Sequence, residues 1–348
     1  MTWGVRRSMV GFGHCLILGT LILGVGCGDS ENVPSASATL PDNTFEFALL
    51  GDNPYSPANV PRFEGLIEEV NAVGDLAWVI HVGDILRPTN VGCSDEILQA
   101  RFDLYQGFDL PLVFTPGDND WFDCQRSAAG GYDPYERLAV LRAMFFPNPE
   151  LTTGRSQMAV QTQSRDPEFE EFVENVMWTK EGVVFATMHL IGLSASEDPD
   201  GIERRMDAAV SWITKTFELA RASGSVGVFM ATQVDPWIVS APPLFQQICP
   251  DCVEPREGIT RLYPVLEQEA STFDGPVVLA VGDTHIFRVD KPLYSADTGR
   301  LVENFTRVET FGDPYVHWVR VRVDPQQGEV FSFQQQIVEG NVGGAGGL

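Results

Sequence analysis

Four times along the 348-residue chain an apolar run ends in Gly-Asp. Phe45–Leu50 leads into Gly51-Asp52, residues 76–82 into Gly83-Asp84, Leu112–Phe114 through Thr115-Pro116 into Gly117-Asp118, and Val277–Val281 into Gly282-Asp283. A single Gly-Asp is ordinary turn chemistry, because Gly supplies unusual backbone angles and Asp caps the element that follows. Four of them on one edge imply more. Carboxylates gathered within a few ångströms repel one another and take up protons unless a cation neutralises them. A hard divalent ion is the economical solution, since such ions prefer oxygen ligands. His285, two residues after Asp283, adds an imidazole that an extended segment would direct to the same side.

The elements between these turns must bring them together. Residues 61–70 carry Phe63, Leu66, Ile67 and Val70 at helical spacing, and Ile97, Leu98, Phe102 and Tyr105 repeat the pattern before the third turn. Strand, helix, strand, helix, strand implies right-handed crossovers and parallel strands, so their Gly-Asp ends emerge together. Ligands of such sheets bind outside the carboxyl ends. Further on, residues 135–146 read as a helix stopped by Pro147-Asn148-Pro149, and 168–178 as a second amphipathic helix. A helix over 201–222, a strand at 226–231, a short helix at 261–269 and alternating strands within 316–333 complete the pattern. His81 precedes Asp84 by an odd number of residues and reads as structural. His189 in an apolar run and His317 among alternating residues read as core and sheet packing.

The ordered set Asp52, Gly83-Asp84, Gly117-Asp118-Asn119-Asp120 and Gly282-Asp283-Thr284-His285 resembles the calcineurin-like metallophosphoesterases over residues 44–290. That resemblance implies an α/β fold: a four-layer α/β/β/α sandwich of two mixed sheets flanked by helices. It also implies two divalent metal ions sharing Asp84 and acting on a small phosphate-ester substrate. One ion would be held by Asp52, Asp84 and His285; the other by Asp84, Asp118, Asp283 and either Gln233 or Asp235. The chain departs from the family pattern in a consistent direction. Pro54 stands where the first motif has His, Asp118 replaces an Asn ligand, and Asn119 replaces the His credited with protonating the leaving group. Asp283 replaces the first His of the last motif. Nitrogen is traded for oxygen, which favours Mn²⁺, Mg²⁺ or Ca²⁺ over Zn²⁺ or iron. Asp84, Asn119, Asp120 and Arg87 form the candidate catalytic group, with Arg87 placed to clamp phosphate. Trp121, Phe122 and Trp237 could wall a pocket. Two functions follow: a metal-dependent phosphoric ester hydrolase, or a catalytically inactive binding protein that keeps the fold. Asn119 favours the second and the carboxylates favour the first.

The remaining sequence places this chemistry. Lys plus Arg is 23 and Asp plus Glu is 48, a formal charge of −25, which disfavours nucleic acid and polybasic membrane association. Residues 1–27 read as a bacterial lipoprotein signal: Arg6-Arg7, an apolar run over 10–25, then Leu23-Gly24-Val25-Gly26-Cys27, with Cys27 as lipidation site. The expected localisation is the bacterial cell envelope, lipid-anchored to membrane or periplasmic. Residues 28–43 form a linker, 44–337 the phosphoesterase-like domain with an insertion at 123–181, and 338–348 a Gly-rich tail. Export implies disulfides. Convergence of the loops after Asp84 and Asp118 pairs Cys93 with Cys124, leaving Cys249 with Cys252; no second CxxC supports zinc. Serine-hydrolase and P-loop motifs are absent from the sequence, and nothing in it sets an oligomeric state.

Overall fold

The computed structural model describes residues 43–192, 198–237 and 259–342. The signal, Cys27, most of the linker, Cys249, Cys252 and the last six residues of the tail lie outside the described residues.

The chain runs β1 (Phe45–Leu50), α1 (Val60–Val73), β2 (Leu76–His81), α2 (Pro88–Val91), α3 (Asp95–Tyr105) and β3 (Leu112–Phe114). Next come α4 (Pro134–Phe145), β4 (Gln161–Thr162), β5 (Val176–Lys180), β6 (Val183–Thr187), α5 (Pro199–Ser223) and β7 (Gly227–Ala231). The last elements are α6 (Leu262–Ser271), β8 (Val277–Val281), β9 (Arg288–Asp290), β10 (Phe305–Glu309), β11 (Trp318–Val323) and β12 (Phe331–Gln336). Among the described residues no helix is long and apolar enough to cross a membrane.

Two mixed sheets result, with strand orders β12-β11-β1-β2-β3 and β4-β5-β6-β7-β8-β10-β9. The alternation of side chains along each strand builds the layers. In β1, Phe47 and Leu49 face the second sheet, packing with Trp78, Phe185 and Phe229, whereas Ala48 and Leu50 face a helical layer containing Phe63, Leu66, Leu98 and Leu141. On the far side Met206, Ile213, Phe217 and Leu266, from α5 and α6, cover the second sheet. This is the four-layer α/β/β/α sandwich, with its aromatic core between the sheets. Helix α1 buries the expected Phe63, Leu66, Ile67 and Val70 and stops at Gly74, whose φ of 78° no β-carbon-bearing residue adopts cheaply.

One element differs from its sequence pattern. Residues 168–178 form no helix: Phe169 and Phe172 turn inward to pack on Ala208, Asn175 and Gln163 bond side chain to side chain, and the chain then enters β5. Trp178 stacks on Phe185 at 5.4 Å, so the end of the presumed insertion is an integral strand of the second sheet. Aromatic packing within the sheet and across to Trp78 of the other sheet outweighs helical periodicity here.

Cys93 and Cys124 are bridged, with Cα atoms 5.7 Å apart across a 31-residue separation. Two buried histidines brace the same region. The Gly83 N–H donates to His81 Nδ1 at 3.1 Å, His81 Nε2 meets the Tyr105 hydroxyl at 2.7 Å, and Tyr105 donates to the Asn53 carbonyl. His189 lies against Glu174 at 2.6 Å, accepts from Trp121 Nε1 at 3.0 Å, and Arg142 pairs with Glu174. Burial pushes His81 down to about 3, and burial together with Arg205 pushes His189 down to about 4.

Two outcomes are expected. In the chain-entropy picture a loop of this length makes the disulfide worth about 3–4 kcal/mol, so Cys93→Ala/Cys124→Ala should lower the unfolding free energy by roughly that amount in urea titration. The histidines bind protons more readily unfolded than folded. Their contribution is therefore complete above pH ~6.5 and is lost as pH falls toward their folded values, at up to about 1.4 kcal/mol per pH unit each. Buried acids such as Asp120, raised to about 7 by burial, act in the opposite sense over the same range. The measurement is therefore the difference in slope between His81→Gln and the parent protein from pH 6.5 to 4.5. The variant should be less stable at pH 7 yet lose less on acidification.

Candidate functional site

The carboxyl ends of β1, β2 and β8 and the loop after β3 meet at one place where the two sheets pack. Asp52, Asp84, Asp283 and His285 all adopt left-handed backbone conformations, with φ of 53°, 60°, 80° and 67°. Such angles cost non-glycine residues on the order of 1 kcal/mol or more and mark functional or tightly constrained positions. The glycines of the motifs make room for one another's carboxylates. A β-carbon on Gly117 would lie 2.0 Å from Asp84 Oδ1, and one on Gly282 would lie 2.1 Å from Asp52 Oδ2. Asp120 fixes the third turn to the second by accepting from the backbone N–H groups of Gly117 (2.8 Å), Asp84 (2.9 Å) and Ile85 (2.7 Å). Its carboxylate is thus turned to backbone.

Asp52 is fully buried, and Asp84 is 3% and Tyr55 5% exposed. The Tyr55 hydroxyl stands among the acids: 2.9 Å from Asp84 Oδ2, 3.3 Å from Asp52 Oδ1 and 3.2 Å from His285 Nε2. His285 Nε2 is 3.6 Å from Asp52 Oδ1. The other ring nitrogen, Nδ1, lies 2.6 Å from the Asp313 carbonyl, which can only accept, so the proton resides on Nδ1 and the Nε2 lone pair faces the cluster. Around this core Asn119 donates to Asp84 from its side chain (2.9 Å) and backbone (3.2 Å), and Gln233 Nε2 lies 3.1 Å from Asp84 and 3.4 Å from Asp52. The Asp283 N–H donates to Asp52 Oδ1 at 3.1 Å.

Asp52 Oδ2 is buried without a hydrogen-bond partner. Among the described residues no Lys or Arg pairs with Asp52 or Asp84. Burial, and then Glu309, drive Asp52 up to about 8; burial followed by Asp118, Asp120 and Asp52 raises Asp84 well above the carboxylate range. Among the described residues these acids are held together without a Lys or Arg counter-charge.

The other expected residues divide clearly. Gln233 contacts Asp52 and Asp84, whereas Asp235 is buried in ion pairs with Arg307 (2.7 Å) and Arg288 (2.7 Å). Asp118 is half-buried beside Asp84, and the Asp283 carboxylate accepts from the Asp235 N–H at 3.5 Å. Arg87 is exposed at the start of α2. His81 and His189 point into the bracing networks described above. Tyr55 was not singled out from sequence; its signal is its position three residues after Asp52, directly behind the Pro54 that replaces an imidazole.

The donor set suits a hard cation. Aspartate oxygens converge, one of them orphaned, and the imidazole is presented as metal-binding histidines are, with the far N–H held by a carbonyl. Among the described residues no group of three His, Cys, Asp or Glu side chains already stands in metal-binding geometry. Much of the carboxylate surface is instead satisfied by Tyr55, Asn119 and Gln233, and a half-turn of the Gln233 amide would exchange donor for acceptor.

No protein-family model matches the chain, and no curated protein matches its sequence. Solved structures do. The chain aligns with one described as "Structure of PhoD" at a TM-score of 0.51 and 12% identity, over 88% of this chain and 68% of that one. It also aligns with "GAP50 the anchor in the inner membrane complex of Plasmodium" at 0.46 and 10%, over 84% and 89%. With no sequence relative to narrow the assignment, the likeness to PhoD fixes the architecture: this chain has a phosphoesterase-like fold.

Proposed function

We propose that the chain is a metal-dependent phosphoric ester hydrolase, exported and lipid-anchored through Cys27 in a bacterial cell envelope. The observation that carries this reading is the convergence of buried Asp52 and Asp84 with His285, with no Lys or Arg among the described residues to neutralise them. Two divalent ions, with Mn²⁺, Mg²⁺ or Ca²⁺ preferred, would be held by Asp52, Asp84 and His285, and by Asp84, Asp118, Asp283 and Gln233. Bound there, they would supply Lewis-acid and hydroxide-generating chemistry.

The chain's own residues shape what that chemistry can do. Asp313 keeps the His285 lone pair directed inward. Asp120 and the His81–Tyr105 chain hold the backbone of the Asp84 turn. Asn119, in the position of a proton donor, has no acidic proton; general-acid assistance typically contributes 10²–10⁴-fold, so substrates with stabilised leaving groups are favoured. Arg87, exposed three residues beyond Asp84, would meet a phosphate arriving from solvent.

A second reading keeps the fold and dispenses with catalysis, the acids being neutralised by protons. The hydrogen bonds from Tyr55, Asn119 and Gln233 to Asp84 favour it. The two are separated by assaying aryl phosphate mono- and diesters with Mn²⁺, Mg²⁺, Ca²⁺ or Zn²⁺. Hydrolysis is expected with Mn²⁺, at least about 100-fold lower in Asp84→Asn, and about 10²–10⁴-fold slower on alkyl than on aryl esters. Absence of hydrolysis with every metal, or equal rates in Asp84→Asn, would establish the non-catalytic reading.

A further inference from the structure

We infer that Tyr55 is a metal ligand, its phenol oxygen taking the place that Pro54 leaves without an imidazole. This rests on the cation-binding part of the function proposed above, and on nothing in its catalytic part. Four atoms define the position: Tyr55 Oη, Asp84 Oδ2, Asp52 Oδ1 and His285 Nε2. Tyr55 Oη lies 2.9 Å from Asp84 Oδ2, 3.2 Å from His285 Nε2 and 3.3 Å from Asp52 Oδ1, and His285 Nε2 lies 3.6 Å from Asp52 Oδ1. Ligands about 2.1 Å from a common octahedral ion stand about 3 Å apart along each edge. The three contacts of Tyr55 Oη are therefore spaced as edges of a coordination shell, and an ion drawing on Asp52, Asp84 and His285 together requires these side chains to shift toward it.

Three further features direct Tyr55 to this role. Its ring is buried and fixed edge-on against the His285 ring at a centroid distance of 5.0 Å, so the hydroxyl has little freedom to leave. Asp52 sits in a left-handed turn (φ 53°) three residues earlier, bringing carboxylate and phenol to the same point from one loop. Asp52 Oδ2, buried and unpartnered, is the kind of atom that a bound ion or its water would satisfy. The resulting set of two carboxylates, one phenol oxygen and one imidazole is harder than a histidine-rich one, in keeping with the other substitutions. On binding, the phenol O–H bond breaks as the metal–oxygen bond forms, and the proton passes to solvent.

The test is Mn²⁺ titration of the full chain by calorimetry, repeated in buffers of different ionisation enthalpy, with the near-ultraviolet tyrosinate difference spectrum recorded in parallel. Tyr55→Phe, which keeps the ring, should bind Mn²⁺ at least about tenfold more weakly. It should also release one proton fewer per ion and lose the tyrosinate difference band. Tyr55→His should restore part of the affinity without the band. Unchanged affinity and proton release in Tyr55→Phe would overturn the ligand assignment while leaving the hydrolase reading intact. Failure of the unmodified protein to bind Mn²⁺ would overturn both, whereas binding with loss in Tyr55→Phe but no hydrolysis would uphold the ligand and remove only the enzyme.

Discussion

Buried like charge is the constraint around which this molecule is arranged. Asp52 and Asp84 are withdrawn from water at the junction of two sheets, and an ionised carboxylate there is tolerable only if protons, hydrogen-bond donors or cations offset it. The structure supplies donors generously: backbone N–H groups of Asn119 and Asp283, the amides of Asn119 and Gln233, and the Tyr55 hydroxyl. It supplies no neighbouring Lys or Arg to these two acids among the described residues, although arginines are used freely at Asp235, Glu174 and Asp290 nearby. Excluding basic side chains from one cluster while pairing the acids of adjacent clusters is what a site for a mobile positive charge requires.

The surrounding fold reads as support for that arrangement. Asp120 spends its carboxylate on three backbone donors, so that the second and third turns move as one body. The Cys93–Cys124 bridge ties the segments that follow those turns, and the Glu174 network anchors Trp121 just beyond them. Burial holds His81 neutral and lets it relay a hydrogen bond from Gly83 to Tyr105 and on to Asn53. Much of the polar chemistry near the site is thus positional, and the acids at the centre are the part left incompletely satisfied.

How much of this was legible in the sequence depended on how local the cause was. The strand-Gly-Asp turns, the α1 stripe and the Cys93–Cys124 pairing follow from periodicity and βαβ geometry, and each appears where those rules place it. Strand β5 was hidden because Phe169, Phe172 and Val176 mimic a helical stripe, and only the packing of the phenylalanines on Ala208 and of Trp178 on Phe185 makes that segment a turn and strand. Asp235 and Gln233 were indistinguishable until Arg288 and Arg307, distant in sequence, claimed the aspartate. Tyr55 escaped notice because its role depends on His285 and Asp84, some 230 and 29 residues away. Composition and spacing carry no record of such long-range partners.

The glycines at 117 and 282 carry a consequence for how the chain can diverge. Each leaves space not for its own loop but for an acid belonging to another turn: Gly117 for Asp84, Gly282 for Asp52. The turns are interlocked in pairs, so a methyl group gained in one is felt as a collision in its counterpart. Drift at these places must then proceed by matched exchanges, a lengthened residue at one member of a pair accompanied by a shortened one at the other. Related chains should consequently vary the two pairs jointly while their helices and surface loops change independently.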